Sequence, residues 1–114
     1  MDSILTSIKK LLGLDEFYEH FDADIIMHIN SVFMILSQIG VVPVEGFSIV
    51  DKNSKWSDFA AVSNVSNIEA VKSYIYLKVR LLFDPPTSGI VMESISSTIK
   101  ELEYRLNVQY ETNM

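Results

Sequence analysis

The residues best suited to chemistry are acids and histidines grouped between the first predicted helix and the second. They are Glu19, His20, Asp22, Asp24 and His28, and side chains of these types ligate zinc or harder cations. Their spacing matches no recognised metal-binding pattern. Asp22 also suits a helix N-cap, and acids at a helix N-terminus are favourable without any metal. The sequence therefore disfavours a metal site and predicts no cofactor.

Nucleophilic and phosphate-binding chemistry have even less support. The chain has no cysteine and no Gly-x-Ser-x-Gly elbow, and its four glycines form no phosphate-binding loop. The sequon at residues 64–66 suits a helix start, because the opening residues place an acid before lysines, the reverse of a secretory signal. No apolar run approaches the length that spans a bilayer. We therefore expect a protein that is neither an enzyme nor a membrane protein.

Charge is distributed unevenly along the chain. The formal net charge is -6, and residues 11–51 contain no lysine or arginine. This half should repel phosphate and attract basic surfaces. We expect an acidic surface here, formed by Asp15, Glu16, Glu19 and Asp24. Lys72, Lys78 and Arg80 are too few for a DNA reader. Lys78 falls between two apolar stripes, where it either extends to solvent or pairs locally, or else contacts a neighbouring chain.

The elements that would position these residues indicate one all-α domain over residues 1–114, a bundle of about four helices. The central helix starts at a capping box of Ser66 and Glu69. It ends near residue 83, because Pro85, followed by Pro86, forces Asp84 out of the helical region. Its apolar residues form two stripes, which predicts neighbours on two sides. The first stripe is Ile68, Val71, Ile75, Val79 and Leu82, and the second is Tyr74, Leu77 and Leu81.

The other elements are predicted around this helix. A short helix opens the chain, with Lys9 and Lys10 opposite its apolar residues. An acidic segment with Phe17, Tyr18 and Phe21 as core anchors follows. The second helix is capped by Asp22 and ended by Gly40. A long loop or short β-like arm leads to Trp56, which should fix it to the core. An ordinary amphipathic helix comes last, with a polar tail from about residue 109.

The second helix has an unusual polar side. Residues 25–39 contain no Lys, Arg, Asp or Glu, although a surface helix normally presents charge to water. This pattern predicts a contact face for another subunit or protein. A polar, simply solvated face is the alternative. The predicted contact residues are Met27, Asn30, Ser31, Met34, Ser37 and Gln38.

Several segments together resemble a known family. They are KVRLLFDPP at 78–86, KELEYRLN at 100–107, DIIMHINSVFMILSQIG at 24–40 and WSDF at 56–59. In this order they are similar to the head–tail connector, or adaptor, proteins of tailed bacteriophages and their prophage copies. The resemblance covers nearly the whole chain, and its motifs are packing and turn signals.

The resemblance implies a structural virion protein that forms a homo-oligomeric ring under the portal protein. Such a ring extends the DNA channel, lets DNA pass without sequence-specific binding and receives the next head–tail joining or tail-completion protein. It also implies assembly in the host bacterial cytoplasm and a place at the head–tail interface of the virion. An acidic channel lining would let DNA slide without sticking. The alternative from the residues alone is a small acidic helical regulator that binds one basic partner through residues 15–24, without a ring.

Overall fold

The computed structural model describes residues 3–42, 45–64 and 67–113. This part of the chain contains five helices and no strand, which confirms the all-α prediction. The helices are α1 (Ile4–Leu11), α2 (Asp22–Gln38), α3 (Trp56–Val62), α4 (Ile68–Phe83) and α5 (Gly89–Asn113). The additional helix is α3, where the sequence indicated a single turn. A β-like contact exists only as one antiparallel bridge between Ser3 and Lys55 among these residues.

The central helix α4 is buried where its stripes predicted. Val71, Tyr74, Ile75 and Val79 have no exposed surface, and Leu77 packs partly buried against the same core. α1, α2 and α5 all pack against α4, whereas α2 and α5 make little contact with each other. α4 therefore lies between α2 and α5.

The N-terminus of α4 differs in detail from the prediction. Ser66 lies outside the described residues, and the N-cap is Asn67, whose side-chain oxygen accepts a hydrogen bond from the Ala70 amide at 3.1 Å. Asn67 is as good an N-cap residue as serine. Glu69 lies in the first turn and accepts a hydrogen bond from Lys72 at 3.4 Å. At the other end α4 stops at Phe83, and Asp84 leaves the helical conformation directly before Pro85 and Pro86.

The prediction that Asp22 caps α2 is wrong. Asp22 is the first residue of the helix, Phe21 is the N-cap, and no side chain caps this end by a hydrogen bond. The Asp22 carboxylate instead lies 2.8 Å from the ammonium group of Lys9 on α1. A buried ammonium needs a counter-charge more than an exposed helix end needs a cap. The acid therefore pairs with the lysine.

The C-termini of α1 and α2 both close in the same way. Gly13 and Gly40 have φ of 83° and 90°, the left-handed conformation in which glycine carries no Cβ penalty. The Gly40 amide donates to the Ser37 carbonyl, and the Val41 amide donates to the Leu36 carbonyl at 2.9 Å. These two bonds form a Schellman motif, and Val41 is buried beneath it.

The loop between α2 and α3 is held tightly to the core. Trp56 is fully buried and donates from its indole nitrogen to the Ser7 hydroxyl at 3.1 Å. Phe47 contacts the rings of Phe33 and Phe59, with centroids 5.0 and 5.6 Å apart. The loop is therefore fixed over α2 by aromatic packing at both its middle and its end.

α5 is longer than the sequence indicated. Its backbone stays helical to Asn113, so the region predicted as a polar tail from about residue 109 continues the helix. No glycine or proline follows Gly89 to end it. Ile95, Ile99 and Leu106 are its buried residues. Asn107 donates to the Ile39 carbonyl at 3.2 Å, which ties α5 to the end of α2.

Candidate functional site

The outer side of α2 exposes an uncharged row of side chains. Met27 and Met34 are 57% and 65% exposed, and Ser31 and Gln38 are exposed beside them. At about 100° per residue these four lie directly opposite the buried face of the helix. We call this row the α2 stripe: Met27, Ser31, Met34 and Gln38. The row itself carries no charge, although Asp24 lies one turn before Met27 and Glu45 lines the same groove as Met34. Two exposed methionines in such a row form a surface that is suited to contact with another protein.

Two of the predicted contact residues serve the fold as well. The Asn30 amide group donates to the Ile49 carbonyl at 2.9 Å and accepts from the Ile49 amide at 2.8 Å. Ser37 is half-buried. Both residues border the α2 stripe and line a groove of about 430 Å³ between α2 and the loop at residues 45–48. The stripe is therefore narrower than the sequence predicted, and a groove runs along one side of it.

The four predicted acidic-surface residues are all exposed. Asp15, Glu16 and Glu19 lie on the segment that joins α1 to α2, which we call the α1–α2 segment. Asp24 lies in the first turn of α2. The Asp15 carboxylate accepts a hydrogen bond from the Phe17 amide at 2.8 Å, which fixes a local turn. Phe17 is not the core anchor that the sequence predicted, because its ring is 82% exposed. An exposed aromatic ring therefore lies within the acidic surface.

Beneath the acidic surface lies a buried lysine that sequence reasoning placed on the solvent side of α1. Lys9 is 1% exposed. Its ammonium group donates to the carbonyls of Glu16 and Tyr18 at 3.0 and 2.7 Å and pairs with Asp22 at 2.8 Å. Two hydrogen bonds and one ion pair thus hold the ammonium group, although the Asp22 oxygen that lies closest to it accepts no hydrogen bond. Lys9 holds the α1–α2 segment against both helices. We call these contacts the Lys9 cluster.

The candidate metal ligands do not assemble into a site. Among the residues that the structure describes, no three His, Asp or Glu side chains lie close enough to share a metal ion. Asp22 is committed to Lys9, and the His20 ring lies edge-on to Phe21 at 4.8 Å. His28 is half-buried on α2.

One polar contact joins α4 to α5. The Tyr74 hydroxyl donates to a Glu103 carboxylate oxygen at 2.7 Å. Burial, and then the hydrogen bond and charge of Glu103, raise the pKa of Tyr74 far above its ordinary value. The tyrosine therefore stays protonated and acts as a structural donor. Beside it, Lys78 is half-buried, with its ammonium 5.9 Å from the centre of the Tyr74 ring.

α5 also carries an exposed row of residues, which the sequence reading missed. Ile90 and Tyr104 are 82% and 72% exposed, and Ser94, Ser97 and Val108 are exposed in line with them. We call this row the α5 stripe: Ile90, Ser94, Ser97, Glu101, Tyr104 and Val108. The row is charged at its middle, where the Glu101 carboxylate pairs with Arg105 at 2.7 Å. The residues of this row recur every three or four positions, which is the spacing of one helix face. The row was missed because the outer face of this helix was interpreted as that of an ordinary amphipathic helix.

The comparison with protein families decides the assignment. The model of the phage connector protein family matches residues 4–113, nearly all of the chain. This chain is a phage connector protein. No curated protein and no solved structure gives a significant match to this chain.

Membership gives this connector a structural role in the phage particle, and the resemblance noted from the sequence is confirmed. The structure adds that, in the part of the chain it describes, none of the connector's helices has the length and apolarity to span a bilayer. The surfaces open to other virion proteins are the α2 stripe, the α5 stripe and the acidic surface. None of the three resembles a catalytic centre, and each is suited to contact with another macromolecule.

Proposed function

We propose that this chain is a ring-forming head–tail connector. It docks under the portal protein, extends the DNA channel and receives the next head–tail joining or tail-completion protein. The match to the phage connector family over residues 4–113 carries this proposal. The whole matched region acts as one connector domain, assembled in the host cytoplasm and retained at the head–tail interface of the virion.

The α2 stripe supports repeated contact between subunits. Its methionines expose apolar surface that a monomer would leave in water, and burying that surface in an interface is favourable. The neighbouring groove of about 430 Å³ gives the contact a shape that a flat helix surface would lack. Subunits that share one such surface assemble symmetrically, as in most homo-oligomers.

The acidic surface supports a role next to DNA that does not require binding. Asp15, Glu16, Glu19 and Asp24 are exposed and have no lysine or arginine near them in sequence. A ring that turns these residues toward its channel would repel phosphates, so that DNA would slide without being held. Placing these residues at the channel is part of the proposal.

A second candidate function rests on the same acids. A groove of about 530 Å³ has Ile26 and Val50 among its apolar lining and Glu16, Glu19 and Asp51 among its acids. Lys9 and Lys52 also line it, but Lys9 is paired with Asp22, so the acids remain in excess. A groove with this chemistry fits a lysine or arginine side chain of a basic partner, as in a regulator that binds one protein without forming a ring.

Assembly on the purified portal protein separates the two functions. The portal of the same phage is mixed with excess connector, and the bound copies are counted by native mass spectrometry and electron microscopy. The ring proposal expects many connector copies in a closed ring on each portal assembly. One or two bound copies would favour the regulator, and no binding would contradict the proposed docking. An unrelated phage portal serves as the control for specificity.

A further inference from the structure

The methionines of the α2 stripe are chemically reactive as well as apolar. Met27 and Met34 are 57% and 65% exposed, whereas Met92 on α5 is half-buried. The chain has no cysteine, so no thiol within it competes for an oxidant, and its single tryptophan, Trp56, is fully buried. Because oxidation of a side chain follows its exposure, an oxidant in solution should reach Met27 and Met34 before Met92.

Hydrogen peroxide converts a methionine thioether to a sulfoxide in a two-electron oxidation. The sulfur lone pair attacks one peroxide oxygen, the O–O bond breaks, and an S–O bond forms. The proton on the transferred oxygen passes to the departing hydroxide, which leaves as water. Sulfur is thereby oxidised and peroxide is reduced. The product is a polar side chain, and methionine sulfoxide reductases reverse the change.

A sulfoxide would make the α2 stripe polar at the positions where it is now apolar. Met27 and Met34 lie one heptad apart, about 10 Å along α2, on the same side of the helix. The Ser31 hydroxyl, one turn from Met27, already donates to the Met27 carbonyl at 3.0 Å. A sulfoxide oxygen on Met27 would therefore draw its hydrogen-bond donor from the partner, and a polar group buried without one is unfavourable.

We propose that Met27 and Met34 are oxidation sites for peroxide-type oxidants, and that their sulfoxides keep the α2 stripe from making its contact. The effect on assembly rests on the proposed function, whereas the oxidation itself needs no ring. Free chains are open to oxidation, and chains in the assembled ring are protected because the contact covers both sulfurs. The reduced thioether form is the one that assembles.

Peptide mapping of the isolated chain tests the oxidation sites. The protein is treated with dilute hydrogen peroxide, and the gain of one oxygen at each methionine is followed over time by mass spectrometry. We expect Met27 and Met34 to oxidise severalfold faster than Met92. Denaturant titration should show unchanged stability, because both oxidised side chains are exposed. Oxidation of Met92 at the same rate, or unfolding of the oxidised chain, would overturn the inference.

Assembly on the portal tests the consequence of oxidation. Portal-bound connector should fall about tenfold or more after treatment, because two sulfoxides would be desolvated in the contact. The two epimer-specific methionine sulfoxide reductases should restore binding.

Two variants assign the loss of binding to the α2 stripe. Met27→Leu with Met34→Leu removes both sulfurs with little change in apolar volume and keeps every other methionine of the chain. Binding of this variant should be the same before and after peroxide. Met92→Leu is the matched control and should stay as sensitive to peroxide as the wild type.

The outcomes separate this inference from the proposed function. Failure of the untreated wild-type chain to form rings would overturn the proposed function, and the mapping result would still stand. Full ring yield from the oxidised chain, or loss of binding by the treated leucine variant, would overturn the inference and leave the ring. If the leucine variant does not assemble untreated, Met27→Gln with Met34→Gln imitates the polar sulfoxides. Wild-type binding by that glutamine variant would then overturn the inference.

Protection in the ring gives the last test. Rings assembled on the portal from reduced chain are treated with the same peroxide as the free chain. Oxidation of Met27 and Met34 should be severalfold slower in the ring, because the contact excludes the oxidant. Equal rates in free and assembled chains would overturn the inference, since both sulfurs would then be as open in the ring as in solution.

Discussion

The Lys9 cluster and the α2 stripe both reverse the usual distribution of polarity, in opposite ways. At the cluster a charged side chain is buried, with Lys9 only 1% exposed. At the stripe apolar side chains are exposed, with Met27 57% and Met34 65% exposed. Proteins generally bury apolar groups and expose charges, so each region needs a reason.

The two regions differ in where that reason lies. The ammonium of Lys9 finds its partners within the chain, in an ion pair with Asp22 and in hydrogen bonds to two carbonyls of the α1–α2 segment. The described residues provide no cover for the methionines of the stripe. A feature that its own fold explains concerns stability, whereas one that it leaves unexplained indicates a partner. On this distinction we propose the stripe as the contact surface and assign the cluster to the scaffold.

The largest expected effect is on the Lys9 cluster. Lys9→Met should lower the free energy of unfolding by about 3 kcal/mol or more, because it leaves the partly buried Asp22 carboxylate without its counter-charge. Denaturant titration measures the loss. Lys10→Met, at an exposed neighbouring position, is the control and should change stability by about 0.5 kcal/mol or less.

Replacing both charged partners sharpens this result. Lys9→Met combined with Asp22→Leu should recover part of the lost stability, since an apolar pair replaces a broken ion pair. If Lys9→Met and Lys10→Met unfold at the same denaturant concentration, the Lys9 cluster is not what holds the α1–α2 segment to the two helices.

The next effect is on assembly and not on stability. Met27→Glu with Met34→Glu should reduce portal-bound connector by about 100-fold, equivalent to about 3 kcal/mol, because two carboxylates would be desolvated without partners. The isolated protein should unfold as the wild type does, since both side chains are exposed. Assembly is measured by native mass spectrometry on the portal.

A charge-matched variant controls for the added negative charge. Asn53→Glu with Ser57→Glu changes two exposed positions away from the stripe and should assemble normally. Rings formed by the methionine variant at wild-type yield would mean that the stripe is a solvated face, the alternative that the sequence left open.

Asn30 lies at the border between the exposed α2 stripe and the scaffold beneath it, and its substitution shows to which of the two it belongs. It lies next to the stripe, but its amide group binds both the N–H and the carbonyl of Ile49. Asn30→Ala should cost about 1 to 3 kcal/mol of stability by leaving these backbone groups without partners. Hydrogen exchange at the Ile49 amide should rise, and folded protein should still assemble. Ser31→Ala is the exposed control. Lost assembly with unchanged stability would move Asn30 into the interface.

Local signals in the sequence predicted much of the fold. Pro85 placed the end of α4, and Gly40 placed the end of α2, because each residue restricts its own backbone. The uncharged run along α2 likewise indicated its exposed face. Such features depend on residues within a few positions of one another.

Features that depend on distant contacts were not predictable in this way. Lys9 was placed toward solvent, because nothing near it in sequence shows that the α1–α2 segment folds back to supply acceptors for its ammonium group. Leu82 belonged to an apolar stripe of α4 and yet is 56% exposed. The α5 stripe was missed for a different reason, because its spacing was present in the sequence but its face was interpreted as ordinary and amphipathic. A helix with apolar residues on several sides does not reveal which side finds a neighbour.

The smallest effect concerns Tyr74, a buried polar contact like the Lys9 cluster, here between α4 and α5. Tyr74→Phe removes the hydrogen bond to Glu103 and should cost about 1 kcal/mol near neutral pH. Since the pKa of Tyr74 is raised in the folded protein, its contribution is complete below the unfolded value of about 10. That contribution is lost as the pH rises above this value, because only the unfolded chain then releases the proton.

Denaturation at several pH values should therefore show that the free energy of unfolding falls more steeply at alkaline pH for the wild type than for Tyr74→Phe. Tyr104→Phe, at an exposed position on the same helix pair, should keep the wild-type slope. Equal slopes for wild type and Tyr74→Phe would mean that this contact does not hold α5, and with it the α5 stripe, in place on α4.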